Sequence, residues 1–208
     1  MTPGPTIIKK CAKCAGLIAE HTIGSGNNFG AVFWTDGKME APMLPDHPWL
    51  VKCPHCSALL WIDEQAEIGE VEPYAGPMPK EFKGAKRYKT PTLRDYLTFL
   101  LEPPRNRRKM RYVRLRAWWA GNDSRREACT PSPLSKRERQ NLNEFHPLLG
   151  RNPEDRLMKA EIFRELGEFD KALKLLSRPL DERLSRAAGF IRGLAMEKKT
   201  TVATLLLG

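Results

Sequence analysis

The sequence contains no apolar run near the roughly 18 to 20 residues that a bilayer-spanning helix needs, and it begins without the charged and apolar stretches of an export signal. These absences predict a cytoplasmic protein that does not enter a membrane. The chain also lacks a phosphate-binding glycine loop, a His-x-Glu motif beside its cysteines, and any placed nucleophile with a base, so we expect no enzyme. Its 208 residues are enough for one medium or two small domains.

The net charge of +10 is distributed unevenly along the chain. Residues 1–75 contain five lysines, no arginine and nine acidic residues, which is a net charge of −4. Residues 80–126 carry a net charge of +11, and residues 127–208 carry +3. The basic middle segment predicts attraction to an acidic partner, whether nucleic acid, an anionic membrane surface or an acidic protein.

Four of the five cysteines form two C-x-x-C pairs, Cys11 with Cys14 and Cys53 with Cys56. A short loop of this kind turns both thiolates toward one point, and two such loops supply the ligands of a tetrahedral metal site. Four thiolates complete the shell, which predicts a structural rather than a catalytic metal. Four thiolates accept iron as well as zinc, but the chain has no other redox feature, so zinc is the expected metal. We expect His55, inside the second pair, to lie outside the ligand shell.

Both cysteine loops resemble the knuckles of zinc ribbons and, more loosely, those of rubredoxin-like folds. These families often have glycine after the second cysteine of a pair, whereas this chain has Ala15 and Ser57 there. The resemblance implies a small antiparallel sheet with the metal at its open end, where the metal stabilises a domain of limited core. The residues between the two pairs agree with this expectation, because they contain strand signals around a predicted hairpin turn at Asp36 and Gly37.

Four polar residues within residues 1–75 are candidates for a second metal or acid–base site: His21, Asp36, Asp46 and His47. We expect ordinary turn and loop positions instead, because the hairpin already accounts for Asp36 and the proline after His47 favours another turn. The fifth cysteine, Cys129, has no histidine and acid placed to activate it, and we expect an inert thiol.

The sequence predicts an α+β protein with two domains of different type. Residues 1–75 are expected to form an antiparallel-β zinc ribbon, residues 76–91 a basic linker rich in proline and glycine, and residues 92–208 an α-helical domain. Three helix starts within the last domain are indicated by capping residues, namely Thr92, Ser135 and Asn152.

A further helix is predicted over residues 106–120, with Gly121 and Asn122 at its C-terminal end. Its arginines at i, i+4 and i+7, together with one neighbour, form a candidate anion-binding or nucleic-acid-binding stripe: Arg107, Arg108, Arg111 and Arg114. The alternative is a charged face that is solvated or paired within the protein, and the sequence leaves both interpretations open.

Small and large residues recur after Asn152 with a spacing typical of paired helices: Ala160, Phe163, Gly167, Phe169, Ala172 and Leu176. This pattern resembles one tetratricopeptide-type helical hairpin, covering about Asn152 to Leu184. The resemblance implies a close helix pair with Gly167 at the turn. An ordinary antiparallel helix pair without repeat ancestry explains the same spacing.

The two resemblances together imply an adaptor, because helical repeats bind proteins and zinc ribbons bind proteins or nucleic acids. The expected function is that of a non-catalytic, bacterial-type adaptor or scaffold that binds zinc and docks a protein partner through its helical half. The alternative is a nucleic-acid-binding protein that uses residues 80–126. A hydrolase or redox enzyme is the least favoured class.

Overall fold

The computed structural model describes residues 1–126, 128 and 132–205, and its mixture of strands and helices confirms the predicted α+β class. The chain divides into two compact units. The sheet unit comprises Met1–Ala31 and Glu40–Pro91, and the helical unit comprises Val32–Met39 and Thr92–Gly208. In the described part of the chain, no helix is long and apolar enough to cross a membrane. The prediction about Cys129 lies outside the described residues.

The strands are short except for the first two. In chain order they are β1 (Thr2–Lys10), β2 (Leu17–Ser25), β3 (Val32–Trp34), β4 (Met39–Glu40), β5 (Leu50–Lys52), β6 (Leu59–Trp61), β7 (Ala66–Val71), β8 (Lys86–Arg87) and β9 (Thr204–Leu205). A four-stranded sheet has the order β7-β1-β2-β8, and β5 and β6 form a separate antiparallel pair. Ile8 and Ile18 are both fully buried, but they lie on opposite faces of the sheet, because Ile8 pairs with Ala19 whereas Ile18 pairs with Lys9.

Residues 76–91 are not the extended linker that their composition predicts. Lys80–Phe82 is a turn of 3-10 helix, and β8 pairs in parallel with β2. Gly69 in β7 leaves room for the ring of Phe82, since a Cβ atom there would lie 2.2 Å from that ring. The proline and glycine content therefore shapes a compact extension of the sheet unit.

Six helices are described: α1 (Leu93–Phe99), α2 (Arg107–Arg126), α3 (Lys136–Phe145), α4 (Pro153–Glu165), α5 (Phe169–Leu176) and α6 (Glu182–Met196). The three predicted starts are confirmed. Thr92 and Ser135 form capping boxes with Asp95 and Glu138, and the Asn152 side chain accepts a hydrogen bond from Asp155 N.

The prediction that α2 ends at Gly121 and Asn122 is wrong, because the helix continues to Arg126. Gly121 does not end the helix. It allows α2 to approach α3 closely, since a Cβ atom there would lie 2.5 Å from Glu138 Oε1 of α3. Asn122 is fully buried and its amide hydrogen-bonds to two carboxylates.

The eight-residue segment Val32–Met39 belongs to the helical unit although it lies between the two cysteine pairs in sequence. Gly37 has φ of 78°, and its amide donates to Trp34 O, which confirms the predicted tight turn. β3 pairs antiparallel with β9, so the chain near residues 204–205 docks on this segment.

The helical unit contains a cluster of buried charged and polar side chains around Asp36. The Asp36 carboxylate is fully buried and pairs with Arg126, whose side chain is 3 % exposed. Glu165 Oε2 accepts a hydrogen bond from Trp118 Nε1 at 2.8 Å. Arg164 and Glu161, both completely buried, form a second ion pair. Asp36 therefore occupies the predicted turn, but its side chain lies in the interior of the helical unit.

Two apolar clusters are described in the helical unit. In the first, Trp118 and Phe145 pack edge to face with ring centroids 6.1 Å apart. In the second, Ala160 of α4 and Leu176 of α5 pack with Ile191 of α6. These clusters give the helices a core of their own.

Candidate metal centre

The first cysteine loop is a hairpin connection between β1 and β2. Lys10 and Leu17 are the last paired residues of these strands, and the loop between them holds both cysteines. Cys11 N donates to Gly16 O at 3.0 Å, and Ala15 N donates to Cys11 O at 2.8 Å. Ala15 has φ of 58°, the left-handed conformation in which glycine would be unstrained.

The second cysteine loop has the same construction between β5 and β6. Lys52 pairs with Leu59, Cys53 N donates to Ala58 O at 2.8 Å, and Ser57 N donates to Cys53 O at 3.1 Å. Ser57 has φ of 62°, as Ala15 does in the first loop. Two loops with equal register present their cysteines in equivalent ways.

The four thiols come together in one cluster, as the spacing predicts. Their Sγ atoms all lie within 4.8 Å of one another. Cys11 Sγ is 3.9 Å from Cys56 Sγ, and Cys14 Sγ is 3.8 Å from Cys53 Sγ. A zinc ion bound by four thiolates at about 2.3 Å requires sulfur separations of about 3.8 Å for a regular tetrahedron. The donor set and its spacing therefore fit one tetrahedral metal ion.

Burial differs between the two cysteines of each pair. Cys11 and Cys53 are 1 % and 0 % exposed, and they pack against four buried apolar residues, namely Ile18, Val51, Leu60 and Ile62. Cys14 and Cys56 are exposed. The cluster therefore lies at the edge of the apolar core of the sheet unit, with one side open to solvent.

Backbone amides favour a thiolate at Cys11. Burial opposes its ionisation, but the amides of Cys14 and Lys13 and the neighbouring thiols outweigh burial and lower the pKa of Cys11 to about 7. Lys13 N lies 3.4 Å from Cys11 Sγ. Such amide donors stabilise metal-bound sulfur in the same way.

Cys14 and Cys53 resist ionisation beside the other thiols. At Cys14 the amide of Gly16 favours the thiolate, but desolvation and the adjacent cysteines raise the pKa to about 12. Burial raises the pKa of Cys53, against amide hydrogen bonds from Cys56 and His55. Four thiolates in one place need a cation to balance their charge, which a divalent metal supplies.

Gln65 supports the first loop, and the sequence analysis missed it. Its Oε1 accepts a hydrogen bond from Ala12 N at 2.9 Å, and its Nε2 donates to Trp61 O at 3.0 Å. Gln65 follows the turn of 3-10 helix Ile62–Glu64, which returns the chain toward the cysteines. No spacing rule identifies such a residue, because its partner lies 53 residues earlier.

His55 connects the two loops without joining the thiol cluster, as expected from its position. Its Nε2 lies 2.8 Å from Leu17 O, and a carbonyl oxygen only accepts, so Nε2 donates there. Gly16 makes space for the ring, since a Cβ atom at Gly16 would lie 2.6 Å from it.

A second group of possible ligands in the sheet unit consists of Glu20, His47 and Asp63. Lys9 Nζ already lies among them, 2.9 Å from Glu20 and 3.8 Å from Asp63. Because the lysine ammonium supplies the positive charge, this group forms an ion-pair network. Of the four residues proposed from sequence for a second site, only His47 belongs to this group.

Arg107, Arg111 and Arg114 of the predicted anion-binding stripe contact groups of the helical unit itself. Arg111 forms two hydrogen bonds with the Asp155 carboxylate, at 2.6 and 3.1 Å. Arg114 is 7 % exposed and pairs with Glu144, and Arg107 donates to Leu148 O at 3.0 Å. Arg108 is exposed. Of the two interpretations of the stripe, pairing within the protein is therefore the one that Arg111 and Arg114 show.

Comparison with protein-family models, with characterised proteins and with solved structures finds no match to this chain.

Proposed function

We propose that this chain is a non-catalytic adaptor, in which Cys11, Cys14, Cys53 and Cys56 hold one structural zinc ion and the helical unit docks a partner protein. The observation that carries the metal assignment is the set of sulfur separations, 3.8 and 3.9 Å, which match the edge of a zinc–thiolate tetrahedron. Four thiolates leave no ligand position for water or substrate, and this supports a structural role.

The shape of the cysteine loops supports a zinc-ribbon relationship. Both loops adopt the left-handed conformation after the second cysteine, although neither has the glycine that ribbons often use there. The metal would connect the β1–β2 hairpin to the β5–β6 hairpin, which otherwise share a small apolar cluster. A zinc ion at this point stabilises a unit with limited core.

The helix pair α4–α5 supports a docking role for the helical unit. Ala160 and Ala172 are fully buried, which permits close approach, and Gly167 forms the turn between the helices with φ of 81°. These are the roles that the tetratricopeptide-like spacing implies. Nucleic-acid binding through α2 is less favoured, because a phosphate must displace Asp155 from Arg111 and Glu144 from Arg114.

The metal assignment is tested by elemental analysis of purified protein, with about one zinc per chain expected. Cys53→Ser should abolish zinc binding, while Cys129→Ser, the matched control outside the two pairs, should retain it. Far-UV circular dichroism should remain largely helical in both, because all six described helices belong to the other unit. Iron in protein prepared without oxygen, or full zinc content in Cys53→Ser, contradicts the assignment.

A further inference from the structure

An open cleft of about 600 Å³ lies along α4 and α5 in the helical unit. Its size is within the range of ligand-binding pockets. Six of its lining residues are basic: Arg151, Arg156, Lys159, Lys171, Lys174 and Arg178. No acidic residue lines the cleft in the part of the chain that the structure describes. The lining described for the cleft includes none of the four stripe arginines of α2.

Among the described residues, most of the basic side chains of the cleft have no carboxylate partner, Lys171 being an exception. Arg156 donates to the carbonyls of Arg178 and Pro179, at 3.2 and 2.5 Å, and Lys159 donates to Gly150 O at 2.9 Å. Carbonyl partners orient these groups but leave their full positive charge in place. Lys174 and Arg178 have exposed side chains at the rim.

The positive charge of the cleft also acts on a neighbouring histidine. The pKa of His146 is lowered mainly by burial, and nearby Lys159 and Lys171 lower it further, while Glu168 opposes them. Lys171 also forms an ion pair with Glu168.

The floor of the cleft is apolar. Phe163 and Leu175 line it. The ring of Phe163 packs against His146, with centroids 4.9 Å apart, and Lys171 Nζ lies 5.3 Å from the centre of the same ring. Because Phe163 already has these ring partners, it is poorly placed to stack on a nucleic-acid base. The floor instead suits an aliphatic or aromatic side chain of a peptide.

We infer that this cleft binds an acidic peptide segment of the partner protein. Apolar side chains of the segment would pack on Phe163 and Leu175, and its carboxylates would pair with the basic rim. The inference rests on the proposed adaptor function and adds the chemistry of the partner. Charge complementarity selects the acidic sequence, and the apolar floor selects a peptide over a nucleic-acid backbone.

The test measures fluorescence polarisation of a labelled peptide made of Glu, Leu and Phe. Wild-type protein should bind it with salt-sensitive affinity, and the same peptide with Gln in place of every Glu should bind about tenfold more weakly or worse. The variant Lys174→Glu/Arg178→Glu should lose at least about tenfold in affinity. A matched control, Arg94→Glu/Arg192→Glu, makes the same charge change at exposed residues that do not line the cleft.

Equal losses in the two double variants overturn the inference, because the binding is then unspecific attraction. Tighter binding of single-stranded RNA, lost in the Lys174/Arg178 variant, also overturns it in favour of nucleic acid. A milder variant, Lys174→Ala/Arg178→Ala, repeats the measurement if the first variant loses its helical signal. No peptide binding by the wild type contradicts the cleft assignment.

Zinc content measured on the same samples separates this inference from the proposed function. If peptide binding fails while one zinc per chain remains, the cleft assignment is wrong and the metal assignment stands. A nuclease-treated capture from cell extract then addresses the adaptor itself. A partner that the wild type and both double variants capture alike docks elsewhere than at the cleft.

Discussion

Removing the Asp36 carboxylate should destabilise the helical unit strongly. The carboxylate is fully buried, pairs with Arg126, and accepts hydrogen bonds from Asn122 Nδ2 at 2.9 Å and Lys38 N at 3.1 Å. The Arg126 guanidinium lies 5.1 Å from the centre of the Trp34 ring. Asp36→Ala therefore leaves a buried cation and a buried amide donor without this acceptor.

The expected loss follows from the partners that remain. Breaking a buried ion pair by removing one member typically costs about 3 to 5 kcal/mol. Arg126 keeps Trp119 O at 3.0 Å and the half-exposed Asp123 carboxylate. We therefore expect Asp36→Ala to lower the free energy of unfolding by about 3 kcal/mol, at the lower end of that range. Arg126→Met added to Asp36→Ala should cost less than the sum of the single losses, because no unpaired charge remains.

Urea unfolding followed by far-UV circular dichroism reports on the helical unit, since all described helices belong to that unit. Asp123→Ala is the matched control, because it removes a carboxylate that pairs with the same arginine but is 50 % exposed. It should cost below about 1 kcal/mol. Equal effects of Asp36→Ala and Asp123→Ala, or additive losses in the double variant, refute the reasoning.

Three further outcomes are expected. Burial raises the pKa of Glu165 well above 4.5, so its stabilising contribution is present at low pH and lost as the pH rises through the folded-state pKa. Glu165→Gln should remove a decline in unfolding free energy of up to about 1.4 kcal/mol per pH unit above pH 4.5, and an unchanged slope contradicts this. Gly16→Ala pushes a Cβ atom against the His55 ring and should weaken zinc retention against a chelator about tenfold, whereas unaltered retention contradicts the contact. Ala15→Gly and Ser57→Gly should each relieve about 1 kcal/mol of left-handed strain, seen as a higher urea midpoint for zinc release, and a lower midpoint contradicts it.

The sequence predicted correctly those features that depend only on residues close together in the chain, namely N-terminal helix caps, the cysteine loops and the hairpin turn. The capping boxes at Thr92 and Ser135 form as expected, because their donors and acceptors lie three residues apart. The two cysteines within each pair face one point because a C-x-x-C loop is short. Gly37 takes the positive φ that the hairpin turn requires.

Predictions that depended on distant partners were less accurate. The Asp-Gly turn explained Asp36 completely from sequence, yet its burial is determined by Asn122 and Arg126, 86 and 90 residues later. The arginine spacing on α2 was correct, but Asp155, which engages Arg111, comes from α4. Proline and glycine in residues 76–91 indicated a linker, because composition does not reveal that β8 will pair with β2.

The order of the chain links the two proposed roles. Segment 32–39, which carries Asp36, lies within the 38 residues between Cys14 and Cys53, so a metal bound by these cysteines closes a loop around a segment of the helical unit. Loop closure changes free energy only slowly with length, by about 0.6 kcal/mol for each doubling. The four cysteines all belong to the sheet unit, whereas the helices pack around apolar clusters of their own. A structural zinc would accordingly govern the sheet unit and leave the helical unit, with its basic cleft, able to fold around its own core.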